Sequence, residues 1–158
     1  MYLLLANVLC AQHSATAKAT VSATIVSPVG TAKESEFSFG KFTPGNKPGN
    51  IVLTPESTIE AYGGVSIVAG NENTPAVFKV FNGIHDYTVT LPYECMMINK
   101  DGTQSMQLCQ FDILSYPEPG TAGYTEIVAI GATLNIQPNQ QPGAYEPAQP
   151  FEVVINYN

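Results

Sequence analysis

The sequence predicts an all-β fold, a sandwich or barrel, on three observations. Short runs alternate apolar and polar residues, which is the period of a half-buried strand. Turn formers such as Pro142-Gly143 separate these runs at short intervals. No window carries an apolar pattern of helical period long enough to predict a helix. Together these observations favour many short antiparallel strands around one core.

Nine segments follow one another along the chain, and Gly/Pro-rich turns lie between them. The stretch from Thr43 to Gly49 contains two Pro-Gly pairs and is predicted to be a loop. We expect further turns at Asn82-Gly83 and at Pro117 to Gly120. The strand segments are 19–25, 37–39, 51–53, 65–67, 76–80, 87–95, 109–113, 128–136 and 151–157.

Composition excludes one broad class of function. The chain has 158 residues, which suits a single domain, and only 12% of them are charged, about half the usual share. It contains six lysines and no arginine, and its formal net charge is -7. Binding to nucleic acid requires basic surface to neutralise phosphates. We therefore expect no nucleic-acid partner.

Residues 1–15 are predicted to be a secretory signal peptide, and residues 16–158 a single β-sandwich domain. The opening run MYLLLANVLCAQ is apolar and uncharged, and it is too short to span a bilayer as a stable helix. Cleavage after Ala11, or nearer Ala15 or Ala17, fits the small residues there. We expect an exported protein in the periplasm, on the outer surface or outside the cell, with no membrane span in its mature form.

Two other interpretations of this opening run remain. It could form a first buried strand of the domain. It could also be a lipoprotein signal that uses Cys10, although Leu9 stands where a small residue is typical. Neither interpretation changes the all-β prediction for the rest of the chain.

Cys95 and Cys109 are predicted to form a disulfide. A turn signal, Asn99 to Thr103, lies between them, and Gly102 is the midpoint of the two positions. If the hairpin turns about Gly102, the cysteines lie directly opposite each other, with Cβ atoms about 4.5–5.5 Å apart. The alternative is a pair of buried free thiols. Two cysteines without a nearby histidine pair do not complete a zinc site, so no metal is expected.

No constellation of residues predicts catalysis, and we expect neither enzymatic activity nor a cofactor. His85-Asp86 could be half of a catalytic pair, but the sequence around it indicates a solvated turn. The chain has thirteen acidic residues, and nothing in their spacing selects a pair for acid–base work. Asn71 to Asn73 carries oxygen ligands without the spacing of a calcium loop.

Several motifs together resemble a known family. ATVSATIVSPVG, FSFG, GGVSI, AVFKVFNG, YTVTLP and QPGAYEPAQPFEVVINYN resemble a family of small secreted bacterial proteins with a domain of unknown function. That family is in turn similar to fimbrial-subunit and spore-coat-protein-U-like domains. The resemblance implies an all-β, immunoglobulin-like antiparallel β-sandwich of about nine strands. It also implies export from a Gram-negative cell and no enzyme activity.

The resemblance gives the carboxyl end a role in assembly. Fimbrial subunits end in an alternating apolar strand, with a glycine before it and an aromatic residue next to last. The matching residues, here candidates for an assembly strand, are Gly143, Phe151, Val153, Ile155 and Tyr157. The chain departs from those subunits in the position of its cysteines, because their disulfide lies near the amino end.

Two functions follow as expectations. The first is a cell-surface or fimbria-like structural protein that assembles with copies of itself or with other envelope or fimbrial proteins. The second is a monomeric secreted or periplasmic binding module that recognises a glycan or a protein through its loops. Residues 15–25 alternate suitably for a strand donated to a neighbour. The alternative, which we favour because 21–27 has the pattern of an integral strand, is that they form the first strand of the chain's own sandwich.

Overall fold

The predicted all-β antiparallel β-sandwich is confirmed. The structure, a computed structural model, describes residues 30–81, 87–120 and 125–157. The predicted signal peptide, the strand at 19–25 and His85-Asp86 lie outside these ranges. The described part contains ten strands: β1 (Gly30–Ser35), β2 (Phe42–Leu53), β3 (Ile59–Ile67), β4 (Ala76–Phe81), β5 (Tyr87–Thr90), β6 (Glu94–Asn99), β7 (Ser105–Pro117), β8 (Thr125–Ile136), β9 (Tyr145–Pro147) and β10 (Val154–Tyr157).

Strand β8 lies at the centre of the larger sheet. One of its edges pairs with β7 along most of its length. The other edge pairs with β4 over its first half and with β2 over its second. Nearly every residue from Ile127 to Ile136 is buried, and this near-continuous apolar run is typical of a strand covered on both faces. The sheet runs in the order β1-β4-β8-β7-β6-β9, and β3 extends it beyond β2.

Two apolar clusters form the core, and both lie on the face of β8 that carries its even-numbered residues. The first cluster contains Ala132, Leu134 and Ile136 with residues of β2 and β7, such as Ile51 and Leu108. The second cluster contains Ala76, Val80, Val128 and Ile130. Alternation at period two therefore assigns one face of the strand to the interior, as the sequence predicted for 128–136.

The second cluster is covered by a two-stranded ribbon of β5 and β10. These strands pair antiparallel, with Ile155 opposite Val89 and Tyr157 opposite Tyr87. Val89, Val153 and Ile155 all pack against the second cluster. The ribbon is thus the second layer of the sandwich over that half of the core.

The strands differ from the predictions at several places: β1 and β9 were not predicted, and the predicted strand 37–39 is reduced to an isolated bridge at Ser38. Two further differences have a local cause in the sequence. The predicted loop from Thr43 to Gly49 lies inside β2, where a bulge between Pro44 and Gly49 accommodates its Pro-Gly pairs. The predicted strand 87–95 is interrupted between β5 and β6, since Pro92 cannot donate to a ladder. Prolines and glycines in the sequence indicated an irregular backbone at each place. They did not show that the first irregularity is a bulge within a strand and the second a break between two strands.

The disulfide prediction is corrected by the register of the β6–β7 hairpin. Cys109 lies opposite Glu94 and Cys95 lies opposite Leu108, so the two cysteines are one residue out of register. Both are free thiols in the structure. Cys95 packs against the first core cluster. Cys109 lies on the other face of the sheet, where the Nδ2 atom of Asn135 is 3.3 Å from the Sγ atom of Cys109. A slip of one residue moves a side chain to the opposite face of a sheet, and that slip separates the pair.

Candidate functional site: an apolar groove between two sheet edges

An open groove of about 840 Å³ reaches the first core cluster. Its floor contains Leu108 and Leu134, which are each only 3% exposed, together with Met97, Met106 and Cys95. The side chains on this floor therefore belong to the hydrophobic core itself. No strand of the described ranges lies over them in the way that the β5–β10 ribbon lies over the second cluster.

The two ends of the larger sheet flank this groove. Lys33 and Ser35 of β1 line one side, and Tyr145 to Pro147 of β9 line the other. Within the described ranges, β1 pairs only with β4 and β9 pairs only with β6. The sheet therefore curls until its two terminal strands face the same groove, each with one edge that has no strand partner among the described residues.

The wall beyond β1 is held by side chain to backbone hydrogen bonds. Asn71 Nδ2 donates to the carbonyl oxygen of Phe39 at 3.0 Å, and Asn71 Oδ1 accepts from the Lys41 amide. Gly40 lies between them with φ +66°, and a Cβ there would approach Asn71 Oδ1 to 2.0 Å. Ser38 also exchanges two backbone hydrogen bonds of 2.9 Å with Thr74. The FSFG motif therefore forms a fixed wall although it is not a strand.

The wall on the β9 side is held by an amide and hydroxyl network. Gln140 is 5% exposed, and its Nε2 donates to the Ser105 carbonyl and to the Tyr145 hydroxyl. Tyr145 in turn donates to the carbonyl of Gln141 at 2.9 Å. Gly143 lies in the loop before β9 with φ +149°, where side chains are rarely accommodated. These contacts fix the path by which the chain enters β9.

Three phenylalanines join the groove to the covered half of the core. Phe151 lies 5.3 Å from Phe37 and 5.1 Å from Phe111, measured between ring centroids. Phe37 and Phe111 each pack against both core clusters. Ring pairs at these separations are favourable beyond their buried area. This aromatic junction marks the end of the covered half and the beginning of the groove.

Few ionisable groups lie in the groove. Lys33 and Glu36 form an exposed ion pair at its mouth, and the hydrogen bond from Lys33 lowers the pKa of the Glu36 carboxyl. Burial raises the pKa of the Cys95 thiol on the floor, because an apolar surrounding disfavours the thiolate. A thiol with a raised pKa is a poor nucleophile at neutral pH.

The structure brings together most of the residues that the sequence singled out at the carboxyl end. Gly143, Phe151 and Val153 line the groove. Ile155 lies in β10 and packs against the second cluster, and Tyr157 lies at the exposed end of β10. Only Val154–Tyr157 is a strand, so β10 is shorter than predicted. Cys95 lies on the groove floor, and Cys109 lies outside the groove. The predicted assembly role of these residues stays a prediction.

Sequence reasoning missed several groove residues. Phe37 and Phe39 were recognised as an alternating pair, but their position opposite β9 depends on the curl of a whole sheet. Met97 and Met106 come from the hairpin whose register was predicted wrongly. Asn71 was assigned to a polar turn, and only the folded structure shows that its side chain hydrogen-bonds to the backbone on both sides of Gly40 in the FSFG motif.

The groove is suited to holding an extended chain. Its apolar floor and two strand edges would receive alternate side chains and main-chain hydrogen bonds, respectively. Among the residues that the structure describes, no three His, Cys, Asp or Glu side chains lie together as metal ligands would. The same ranges hold no helix with the length and hydropathy of a membrane span.

Comparison with known proteins gives one family. No curated protein and no solved structure matches the chain. A family model described as "Domain of unknown function (DUF4402)" matches residues 29–157, which is most of the chain and nearly all of the described structure. The match begins just before β1 and ends with β10, so it covers both walls of the groove. The chain therefore belongs to the DUF4402 family.

Proposed function

We propose that this protein is an exported, non-enzymatic structural subunit of the cell surface, which assembles by accepting an extended strand in the groove. The observation that carries the proposal is the groove itself, an apolar channel between β1 and β9, whose outer edges have no strand partner in the part of the chain that the structure describes. Two features favour added β-structure: the groove leaves Cys95 and Met97 on its floor only half-buried, and each of its flanking strands has one edge without a strand partner among the described residues.

The walls of the groove support this function because they are rigid before any partner arrives. Asn71 and Ser38 fix one wall, and Gln140 and Tyr145 fix the other. A strand that enters such a groove would not have to order the walls, which reduces the entropic cost of binding. Its alternate side chains would lie against the floor, where Leu108 and Leu134 would become fully covered.

The proposed partner is another copy of this chain or another envelope protein of fimbrial type. The alternating residues 15–25 are the candidate donor that the sequence offers, and they lie outside the described residues. The resemblance to fimbrial subunits supports the same kind of assembly. A monomeric binding module is the competing function, and the experiment below separates the two.

The native cysteines report occupancy of the groove without added probes. Cys95 lies on the groove floor and Cys109 lies on the opposite face of the same hairpin. The exported chain is alkylated with iodoacetamide at alkaline pH, where a thiol of raised pKa can ionise and react, over a range of protein concentrations, and each site is quantified by peptide mass spectrometry. We expect multimers by light scattering at high concentration and slower alkylation of Cys95 in them, with the rate at Cys109 unchanged.

A pair of substitutions tests whether the groove is the contact. Ala144 is exposed and lines the groove, and Ala148 is exposed on the same segment but does not line it. Ala144→Trp should fill the groove and abolish the multimers, whereas Ala148→Trp should leave them unchanged. A wild-type chain that stays monomeric at every concentration, with Cys95 always reactive, would contradict assembly and favour the binding module.

A further inference from the structure

A second depression shares no lining residue with the groove. It has a volume of about 530 Å³, within the range of small-ligand sites. Val89 and Leu91 line it from the β5 side, Phe111 and Ile113 line it from β7, and Tyr93 and Gln110 stand at its rim. We refer to these six residues as the Tyr93 depression. It approaches the groove at Phe111, which belongs to the aromatic junction with Phe37 and Phe151.

Tyr93 is the most exposed large hydrophobic residue in the described part of the chain. Its side chain is 91% exposed, whereas Ile113 across the depression is 38% exposed. Alternation along 87–95 places Tyr93 on the same side as Tyr87, Val89 and Leu91, but the structure exposes its side chain to solvent. The break in the strand at Pro92 turns the ring outward. An aromatic ring held at the edge of an apolar depression is a surface on which a ligand can stack.

The backbone at Gln110 is held in an uncommon conformation. Gln110 has φ +51° and lies in the bulge between Cys109 and Asp112. A glutamine in the left-handed region costs free energy relative to glycine, and such residues cluster at functional sites. The bulge directs the exposed amide of Gln110 to the rim of the depression, where it can donate and accept hydrogen bonds.

A connected polar network adjoins the same rim. Asn135 Nδ2 donates to Gln107 Oε1 at 3.1 Å, and Gln107 Nε2 donates to Glu94 Oε2 at 2.5 Å. Gln107 itself lines the depression. These bonds fix the orientation of the Gln107 amide and of one carboxylate oxygen, so the polar groups at the rim are positioned before a ligand binds.

The chemistry of the rim selects among ligand classes. No lysine lines the depression and Glu94 lies beside it, so an anionic ligand is disfavoured in a chain of net charge -7. One carboxylate is too few for a metal ion. An added strand is disfavoured because the bulge at Gln110 and the proline at 117 interrupt the edge of β7.

We infer that the Tyr93 depression binds a neutral saccharide. A sugar ring presents a C–H face that can stack on Tyr93 and pack against Ile113. Its hydroxyl groups both donate and accept hydrogen bonds, and so do the amides of Gln107 and Gln110. This site shares no lining residue with the groove, so the saccharide inference and the proposed assembly can be tested separately.

The test is a screen of the labelled exported chain against immobilised neutral and acidic oligosaccharides, followed by calorimetric titration of the strongest neutral glycan. Tyr93→Ala should weaken that affinity by about tenfold or more, because the stacking surface is lost. Tyr62→Ala is the matched control, since Tyr62 is also exposed but lies on β3, outside the depression. Its affinity for the glycan should equal that of the unchanged chain.

A second pair of variants separates amide chemistry from backbone strain. Gln110→Gly removes the side-chain amide, and glycine adopts positive φ without strain, so the fold should be retained. The affinity for the glycan should fall by about fivefold. Asn139→Gly makes the same backbone change at φ +54°, outside the depression, and should leave affinity unchanged. The inference is overturned if no neutral glycan binds, if only acidic glycans bind, or if Tyr93→Ala binds as tightly as the unchanged chain.

Discussion

The two halves of the core differ in what covers them. Over the second cluster, Val89 and Ile155 of the β5–β10 ribbon and the adjoining Val153 pack on a core that includes Val128 and Ile130, which are both fully buried. Over the first cluster, an open groove leaves Cys95 and Met97 only half-buried, although Leu108 and Leu134 on the same floor are 3% exposed. The same central strand supplies both halves, so the difference comes from the layer above and not from β8.

Among the described residues, the second layer of the sandwich is complete only over the second cluster. The ribbon ends at the aromatic junction of Phe37, Phe111 and Phe151, and the groove begins there. A strand added in the groove would continue the layer that the ribbon starts. The groove therefore resembles a missing part of a sandwich more than a pocket for a small molecule, and the proposed function rests on this asymmetry.

Deleting side-chain volume should separate the two halves most strongly. Ile130→Ala leaves a cavity beneath the ribbon, and we expect a loss of about 3–5 kcal/mol in the free energy of unfolding. Leu108→Ala leaves a cavity that opens into the groove and can fill with water, so we expect only about 2–3 kcal/mol. Urea denaturation of the two variants measures both values. Equal losses would show that the first cluster is covered as well as the second.

A smaller effect is expected at the end of the ribbon. The Tyr157 side chain is 36% exposed, and its ring lies 6.3 Å from that of Tyr87. Because much of the ring stays in water, Tyr157→Ala should lower the free energy of unfolding by about 1–2 kcal/mol. Thermal denaturation checks this value, and light scattering of the same variant checks assembly. A loss as large as that of Ile130→Ala would place this ring in the core after all.

The fold class could be predicted because it follows from local periodicity. The alternation at 128–136 and at 151–155 identified the inward faces of both segments, and the structure confirms them because residues of these faces belong to the core clusters or pack against them. Alternation depends only on the pleat of a strand and does not require knowledge of its neighbours. The sandwich was therefore accessible from the sequence.

The register of the β6–β7 hairpin and the existence of the groove could not be predicted from local periodicity. The hairpin was predicted to turn about Gly102, but Asn99 and Gln104 close the turn through backbone and side-chain hydrogen bonds of 3.0 Å. This places the midpoint between two residues and separates Cys95 from Cys109. The groove requires that β1 and β9 approach each other, which depends on the curl of a sheet whose strands are far apart in sequence.

The smallest expected effect concerns the tyrosine that anchors the ribbon to β8. Burial, followed by a hydrogen bond to the Glu126 carboxylate, raises the pKa of Tyr87 above its ordinary value of 10.0. Below pH 10 the hydroxyl is protonated in the folded and unfolded states, and its stabilising contribution is complete. Above pH 10 the unfolded state ionises first, so the free energy of unfolding should fall as pH rises.

Tyr87→Phe tests whether this contact holds the ribbon on the covered half of the core. At neutral pH the variant should lose about 0.5–1.5 kcal/mol, the value of one hydrogen bond, because the ring itself is retained. Between pH 9 and about 11 its stability should fall less steeply than that of the unchanged chain, since phenylalanine cannot ionise. Urea titrations at each pH provide the comparison, and Tyr116→Phe, an exposed tyrosine on β7, is the control. If the unchanged chain and Tyr87→Phe lose stability in parallel, then the hydroxyl does not anchor the ribbon, and apolar packing of Val89, Val153 and Ile155 alone holds that layer in place.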